Sequence, residues 1–289
     1  MSPVEQNPIL RTHDVRRRFD RAADAFDEFS FVHGVTRDGL FARLKPMLVD
    51  AATVLDLGCA TGAAYKRLQQ RFRGAQLLAL DLSPRMLQRA ARRRSWFSGY
   101  SLLQADATAI PLADQSIDVV FCNQLLPWIG DASVLFSEVG RVLRENGLFL
   151  FASLGPDSLA GLRKAWQTVD AGSHVSFFPD MHTLGDAAVR AGMRDPVLDV
   201  DRLTVTYADA AALFRDLTGS GARNSLAGRQ RTLTGKRRFQ RMAAALPRLQ
   251  DEQLIELELE LVYGHCWGSG PRPAGGEFRI APDSIRRRS

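Results

Sequence analysis

The chain is poor in the features that mark secreted, membrane-spanning and zinc-binding proteins. Its three cysteines, Cys59, Cys122 and Cys266, are spread over 289 residues. They are odd in number, far apart and set in apolar or glycine-rich contexts. That fits neither a disulfide framework nor a zinc site, and reads as reduced structural thiols. His174 and His182 lie eight apart with no companion ligands, so no metal is expected. No apolar run reaches the ~18 residues of a membrane span. The start, Met1-Ser2-Pro3-Val4-Glu5-Gln6, lacks the apolar centre of a secretory signal, and the early acids Glu5, Asp14 and Asp20 are unlike a transit peptide. A cytoplasmic location is expected, with no membrane contact.

What is present is ordinary in bulk and uneven in charge. Hydrophobic residues make up 45% and charged residues 24%, as in a typical globular protein. The length suits one large domain or two small ones. The net charge is +6, but seven basic residues and no acidic one fall between Arg223 and Arg241. Shorter basic clusters sit at 16–18, 92–94 and 286–288. The long segment favours an acidic partner: nucleic acid, an acidic carrier protein, or a carboxylate or phosphate substrate. The short clusters read equally well as solvated helix faces.

Short apolar strands alternate with helical patterns through the first half. Val15, Phe19, Ala22, Ala23 and Phe26, continued by Leu40, Leu44 and Leu48, predict helix over 14–48. Strands are expected at 53–57, 76–80, 100–104, 117–122 and 148–152. Helices are expected over 62–72, from the Ser83-Pro84 cap onward, and over 131–144 with a stop at Asn146-Gly147. This alternation predicts an α/β fold with a parallel sheet. Further on, a helix is expected within 155–179, another over 183–191 closed by Gly192, and a strand at 197–207. A basic helical segment should cover 209–250, and the alternating run from Leu254 to Leu261 should be a half-exposed strand. One domain is expected over 1–289: N-terminal helices 14–48, a ligand-binding core 50–153, capping insertions 155–180 and 209–250, and a loose tail 269–289.

The most informative stretch is Val54-Leu55-Asp56-Leu57-Gly58-Cys59-Ala60-Thr61-Gly62. It reads as a buried strand breaking into a glycine turn, with a helix to follow. The spacing Gly58-x-x-x-Gly62 lacks the central glycine of the dinucleotide fingerprint G-x-G-x-x-G. Backbone can still approach a ligand closely there, but a pyrophosphate has no seat on the helix N-terminus. The ligand is expected to be a nucleoside without phosphates, with S-adenosylmethionine the obvious candidate. Polar residues recur at the strand ends. Asp56 sits at the glycine turn, Asp81 suits two ribose hydroxyls, Asp106 suits the adenine amino group, and Asn123 falls beside the expected sulfonium. Any one of these could be a helix cap; the ordered set argues for a site.

Together with Leu80-Asp81-Leu82-Ser83-Pro84-x-Met86-Leu87 and Gln104-Ala105-Asp106-Ala107-x-x-x-Pro111-Leu112, the glycine turn resembles class I S-adenosylmethionine-dependent methyltransferases over about 50–150. The resemblance implies a Rossmann-like, seven-stranded, mostly parallel sheet with helices on both faces and helical capping insertions. Its last strand would be antiparallel, and the run 254–263 fits it. The resemblance also implies cofactor contacts from Asp56, Gly58, Cys59, Gly62, Asp81, Leu82, Met86, Asp106, Ala107 and Asn123. Over nearly the whole chain a narrower likeness appears. It is carried by Val15 to Ala23, Gly155-Pro156-Asp157-Ser158-Leu159, His174 to Phe178, Asp180-Met181-His182, Leu203 to Tyr207, Gly221-Ala222-x-Asn224 and Val262-Tyr263-Gly264-His265. These are similar to the malonyl-acyl carrier protein O-methyltransferases of biotin synthesis. That family implies methylation of the free carboxyl of malonyl-acyl carrier protein or malonyl-CoA, with the acidic carrier protein docking on 223–241. Two departures touch the active-site wall: Phe26-Asp27 replaces Tyr-Asp, and Cys122-Asn123-Gln124-Leu125-Leu126-Pro127-Trp128 replaces a Ser-Asn start and a His-Trp end.

The acceptor chemistry agrees with the residue inventory. A carboxylate, with a pKa near ~4, is already ionised and needs no base. It needs only to be held in line and dry, so a chain with no evident base is compatible. Asn123 is followed by Gln124-Leu125, not Pro-Pro-Tyr, which argues against amide or adenine methylation. Cys122 follows Phe121, not proline, which argues against a cytosine nucleophile. Nucleic acid is therefore not the favoured partner. Arg163, Arg223 and Arg229 are candidates to grip the carboxylate, with surface charge as the alternative. Two other functions stay open: another small-molecule methyltransferase, and a methyltransferase-like assembly or hydroxylase protein resembling the respiratory complex I assembly factors.

Overall fold

The fold was analysed in a computed structural model that describes residues 10–93, 100–227, 234–249 and 253–270. Arg229 and all but the first two residues of the expected tail 269–289 lie outside the described residues. Seven strands make one sheet: β1 (Thr53–Leu57), β2 (Gln76–Asp81), β3 (Tyr100–Gln104), β4 (Ile117–Asn123), β5 (Leu143–Leu154), β6 (Arg194–Tyr207) and β7 (Ile255–Trp267). Their order is β3-β2-β1-β4-β5-β7-β6. Strands β1 to β5 pair in parallel, whereas β7 runs antiparallel to both β5 and β6. This is the Rossmann-like, mostly parallel architecture expected, including its antiparallel last strand. The order reverses between β1 and β4, so a crevice opens beyond the carboxyl ends of those two strands.

Continuous apolar runs explain why the central strands are buried on both faces. On β1, Val54 faces one core and Leu55 the other; on β5, Leu150 and Phe149 divide the same way. The first core joins the sheet to α3 (Phe31–Leu44) and α4 (Tyr65–Arg71) through Leu40, Leu44, Tyr65 and Leu68. The second joins it to α6 (Ala132–Val142) and α8 (Met181–Arg190) through Leu135, Phe136, Val139 and Leu184. A third cluster packs α7 (Ala160–Gln167), α9 (Ala210–Gly219) and α10 (Lys236–Ala244) around the start of β7, with Trp166, Leu213, Met242 and Leu257 at its centre. A small fourth cluster seats α1 (Thr12–Ala22) and α2 (Phe26–Phe29) on Met86 of α5 (Pro84–Ala91).

Several boundaries differ from the sequence reading. The basic helical segment expected over 209–250 is two separate helices among the described residues, α9 and α10. The helix expected over 14–48 is three helices, broken at Ala23–Ala25 and Ser30, which lets α1 turn back over α5. The helix expected from Gly62 starts at Tyr65, because Gly62 takes a left-handed φ of 74° and belongs to the turn. Asn146-Gly147 is not a helix cap. The chain is already on β5 at Leu143, and the pairing jumps from Ile117↔Leu143 to Val119↔Leu148. The extra residues bulge out, with Asn146 at φ 60° and its N–H bonded to the Gly268 carbonyl at 3.0 Å. A Gly or Asn that permits positive φ serves a strand bulge as well as a helix end.

Candidate functional site

The glycine turn is built by backbone bonds to the end of β2. Gly58 N–H and Cys59 N–H both donate to the Leu80 carbonyl, at 2.8 and 3.0 Å. Gly58 sits at φ 75°, and a Cβ there would lie 3.1 Å from Leu125 Cβ. Asp81 closes the turn: one carboxylate oxygen accepts Ala60 N–H at 2.8 Å and the other accepts Ser83 N–H at 2.8 Å. Ser83 then caps α5 by accepting Met86 N–H at 3.1 Å. A carboxylate has about four acceptor positions, so both Asp81 oxygens keep capacity for a ligand. Burial, against those two N–H bonds, pushes the Asp81 carboxyl up to about 6.

Beside it, Asp56 is 3% exposed, and its Oδ2 has no hydrogen-bond partner among the described residues. Burial first, and the charge of Asp81 second, raise it to about 7, while Arg37 of α3 pulls it down. These groups line a narrow cleft of about 90 Å³, together with Gly58, Cys59, Leu82, Ala107, Asn123, and Val15, Phe19 and Phe26 of the N-terminal helices. An unpaired buried carboxylate oxygen beside a second carboxylate suits a ligand carrying an ammonium group and hydroxyls. The cleft is smaller than the ~300 Å³ at which drug-sized ligand pockets begin. Helices α1 and α2 cover it through Val15, Phe19 and Phe26. That cover is latched by polar contacts. Ser83 donates to Asp20 at 2.6 Å, and Arg85 donates to Asp24 at 2.8 Å. Thr61 and Arg93 donate to Asp27 at 2.5 and 2.6 Å.

A second, larger cavity of about 600 Å³ lies under the capping helices. Its walls are mostly apolar, including Leu154, Leu162, Trp166, Phe214, Phe239 and Leu257, with Arg18 and the exposed Arg223 as its cations. Among the described residues, His33, Gln124 and Trp128 are shared by both cavities.

The expected site residues divide on this geometry. Asp56, Gly58, Cys59, Asp81, Leu82, Ala107 and Asn123 line the cleft. Gly62, Met86 and Asp106 do not. Met86 is wholly buried beneath α1 and α2, and Asp106 Oδ1 accepts the Thr108 N–H and hydroxyl at 2.9 and 2.8 Å. Of the arginines, Arg223 lines the large cavity. Arg163 lies outside that lining, with its guanidinium near the carbonyls of Ser158 and Ser176 at 3.5 and 3.4 Å. Asn123 does more than line the cleft. Its amide donates to the His33 carbonyl at 2.9 Å and accepts from Thr36 at 2.7 Å, bolting α3 to the end of β4. Sequence reasoning missed His33, Arg37 and Arg18, because a polar residue on a helix of unknown orientation carries no sign of the face it serves. Among the described residues, no group of three or more His, Cys, Asp or Glu is placed to hold a metal, and no helix is long and apolar enough to cross a membrane.

Comparison with known proteins agrees with this geometry. A methyltransferase-domain family profile matches residues 55–151. The chain is 40% identical to malonyl-[acyl-carrier protein] O-methyltransferase of Halorhodospira halophila, over 100% of this chain and 99% of that one. It is 41% identical to the protein of the same description from Laribacter hongkongensis, over 90% of each. Among solved structures, the YcgJ protein of Bacillus subtilis superposes with a TM-score of 0.60 at 15% identity, covering 82% of this chain and 99% of that one, a likeness of fold. A cleft with two buried carboxylates at the switch point, an adjoining apolar cavity and these full-length likenesses lead to one conclusion: the chain belongs to the malonyl-[acyl-carrier protein] O-methyltransferase family of methyltransferases.

Proposed function

We propose that the chain moves a methyl group from S-adenosylmethionine to the free carboxylate of malonyl-acyl carrier protein, in the early, pimeloyl-forming part of biotin synthesis in the cytoplasm. The observation that carries the reading is the meeting of a cleft that holds two buried carboxylates, Asp56 and Asp81, and a large, mostly apolar cavity at one wall. Asp81 would hold the ribose hydroxyls. Asp56 and Arg37 would hold the ammonium and carboxylate of the amino-acid end. S-adenosylmethionine supplies, when bound, a sulfonium methyl whose C–S bond breaks as the acceptor oxygen forms the C–O bond, with no proton moved. The chain's own work is alignment and exclusion of water, by Phe19, Phe26 and Trp128. Neither a base nor a metal is needed, because the acceptor is already ionised.

The expected result with isotopically labelled S-adenosylmethionine is label transfer to malonyl-acyl carrier protein. Donor binding without transfer to any malonyl thioester would sink the reading. The carrier protein is assigned to the mouth of the large cavity. Arg223 lines that cavity, and Lys236, Arg237 and Arg241 are exposed on α10, whose Phe239 also lines it. Reversing charge at Lys236 and Arg237 (both to Glu) should raise KM for malonyl-acyl carrier protein about tenfold at low salt, with kcat kept. KM for malonyl-pantetheine, which has no protein surface, should stay put. An equal rise for both would place the dock elsewhere.

The raised carboxyls make donor binding pH-dependent. With Asp56 near 7 and Asp81 near 6, the empty folded protein binds more protons than the unfolded chain between those values and the ordinary carboxylate range. Their contribution to stability is full at low pH and is lost as pH rises through about 6 to 7. A cationic donor favours the ionised forms, so binding should release protons and tighten as pH rises through the same window. Calorimetry in buffers of different ionisation enthalpy measures this release. Proton uptake would contradict it.

A further inference from the structure

We propose that His33 and Gln124 form a neutral hydrogen-bonding pair at the neck between the two cavities, which holds the acceptor carboxylate by one oxygen and leaves the other oxygen to attack. The inference rests on the carboxylate reading above and names the residues that position its acceptor.

Four observations carry it. His33 and Gln124 line both the cleft and the large cavity, so they stand where donor and acceptor must meet. Each has a buried polar atom, His33 Nδ1 and Gln124 Nε2, with no hydrogen-bond partner among the described residues. An unmade bond of this kind is costly, and two on residues that line the same two cavities call for a ligand group that satisfies both. Gln124 also takes a left-handed φ of 60°, while its N–H is held by the Ala152 carbonyl at 2.9 Å. That backbone is costly for a residue with a side chain, and such strain clusters where a side chain must be aimed. Finally, Asn123 fixes the two relative to each other. It precedes Gln124 on the chain and grips the His33 carbonyl at 2.9 Å. The Phe26 ring, 5.1 Å from the His33 ring and tilted 66° to it, sets the plane of the imidazole.

Charge explains why a neutral pair serves here. Burial, helped by Arg37, lowers His33 to about 4, so the ring is uncharged at working pH. With its proton on Nδ1 it donates one bond, and the Gln124 amide donates another. A guanidinium gripping both carboxylate oxygens would occupy the attacking lone pair. The cations of this cavity, Arg18 and Arg223, do not line the cleft. They attract the acceptor; the neck aims it.

The test compares wild type with Gln124→Leu, His33→Leu and His33→Gln, using initial rates on malonyl-acyl carrier protein and calorimetric binding of S-adenosylhomocysteine. Each Leu variant should lose about 10- to 100-fold in kcat/KM, the loss expected for one hydrogen bond to a charged group. Donor-product affinity should stay within about threefold of wild type, which also reports an intact fold. His33→Gln keeps an N–H and should recover most of the loss. The proposal is overturned if the Leu variants keep wild-type kcat/KM, if donor-product affinity falls as far as the rate, or if His33→Gln is as slow as His33→Leu. A wild-type protein inactive on malonyl thioesters would instead remove the carboxylate reading itself, a separate result.

Discussion

Asp81→Ala should weaken S-adenosylhomocysteine binding by at least about 100-fold, the largest functional loss expected from one substitution. The side chain has two duties at once. It is assigned to the two ribose hydroxyls, and charge-assisted bonds of that kind are worth about 1.5–3 kcal/mol each. It also holds the N–H groups of Ala60 and Ser83, which shape the glycine turn and start α5. Removing it takes away the ligand bonds and leaves both N–H groups without their acceptor. Asp81→Asn keeps one carbonyl oxygen and should fall between wild type and Ala. Calorimetry measures the three affinities, and an Ala variant within about threefold of wild type would show that the ribose is held elsewhere.

Gly264→Val should destabilise the fold by about 3 kcal/mol, which lowers Tm by roughly 6 to 12 °C. Gly264 lies on β7 directly opposite Phe151 of β5. A Cβ there would come within 2.2 Å of Phe151 Cζ. The ring cannot step aside: Phe151 is 1% exposed and packs against Phe136 and Phe149 at 5.3 and 5.1 Å between centroids. The aromatic ring covers the glycine across the strands, and a side chain would have to displace it. Gly185, inside α8, is the contrast. A Cβ there would meet only Leu198 Cδ1, at 3.6 Å. Gly185→Ala should therefore be neutral or stabilising, by up to ~1 kcal/mol, because helix favours Ala over Gly. Thermal melts of both variants check the pair, and equal melting temperatures would refute the packing argument.

The sheet was legible because its signals are local. Five short apolar strands, most of them followed by a helical pattern and four of them leading to a polar residue (Asp56, Asp81, Asp106 and Asn123), predict a parallel sheet and the end at which its ligand binds. The alternating run from Leu254 likewise announced β7. Boundaries at glycine and asparagine were less legible, since a residue that permits positive φ suits a turn, a bulge or a helix end alike; Gly62 and Asn146 show two of these. In the site, the residues on the glycine turn and at the end of β2 could be placed because backbone geometry puts them there. Met86 could not, because its burial depends on how α1 and α2 pack over α5. His33, Arg37 and Arg18 reach their cavities only because α1, α2 and α3 fold back over the sheet ends, a long-range arrangement with no local signature. Gln124 offered a hint, as a polar residue in the apolar stretch after β4.

The central claim is that the methyl group goes to the malonyl carboxylate. The most direct measurement locates the label on the product: malonyl-acyl carrier protein is incubated with methyl-labelled S-adenosylmethionine and the protein, and the prosthetic arm is analysed by mass spectrometry before and after mild base. The account predicts one added methyl on the malonyl group, released as methanol by base. Label that is stable to base, or that resides on the carrier polypeptide, would contradict it.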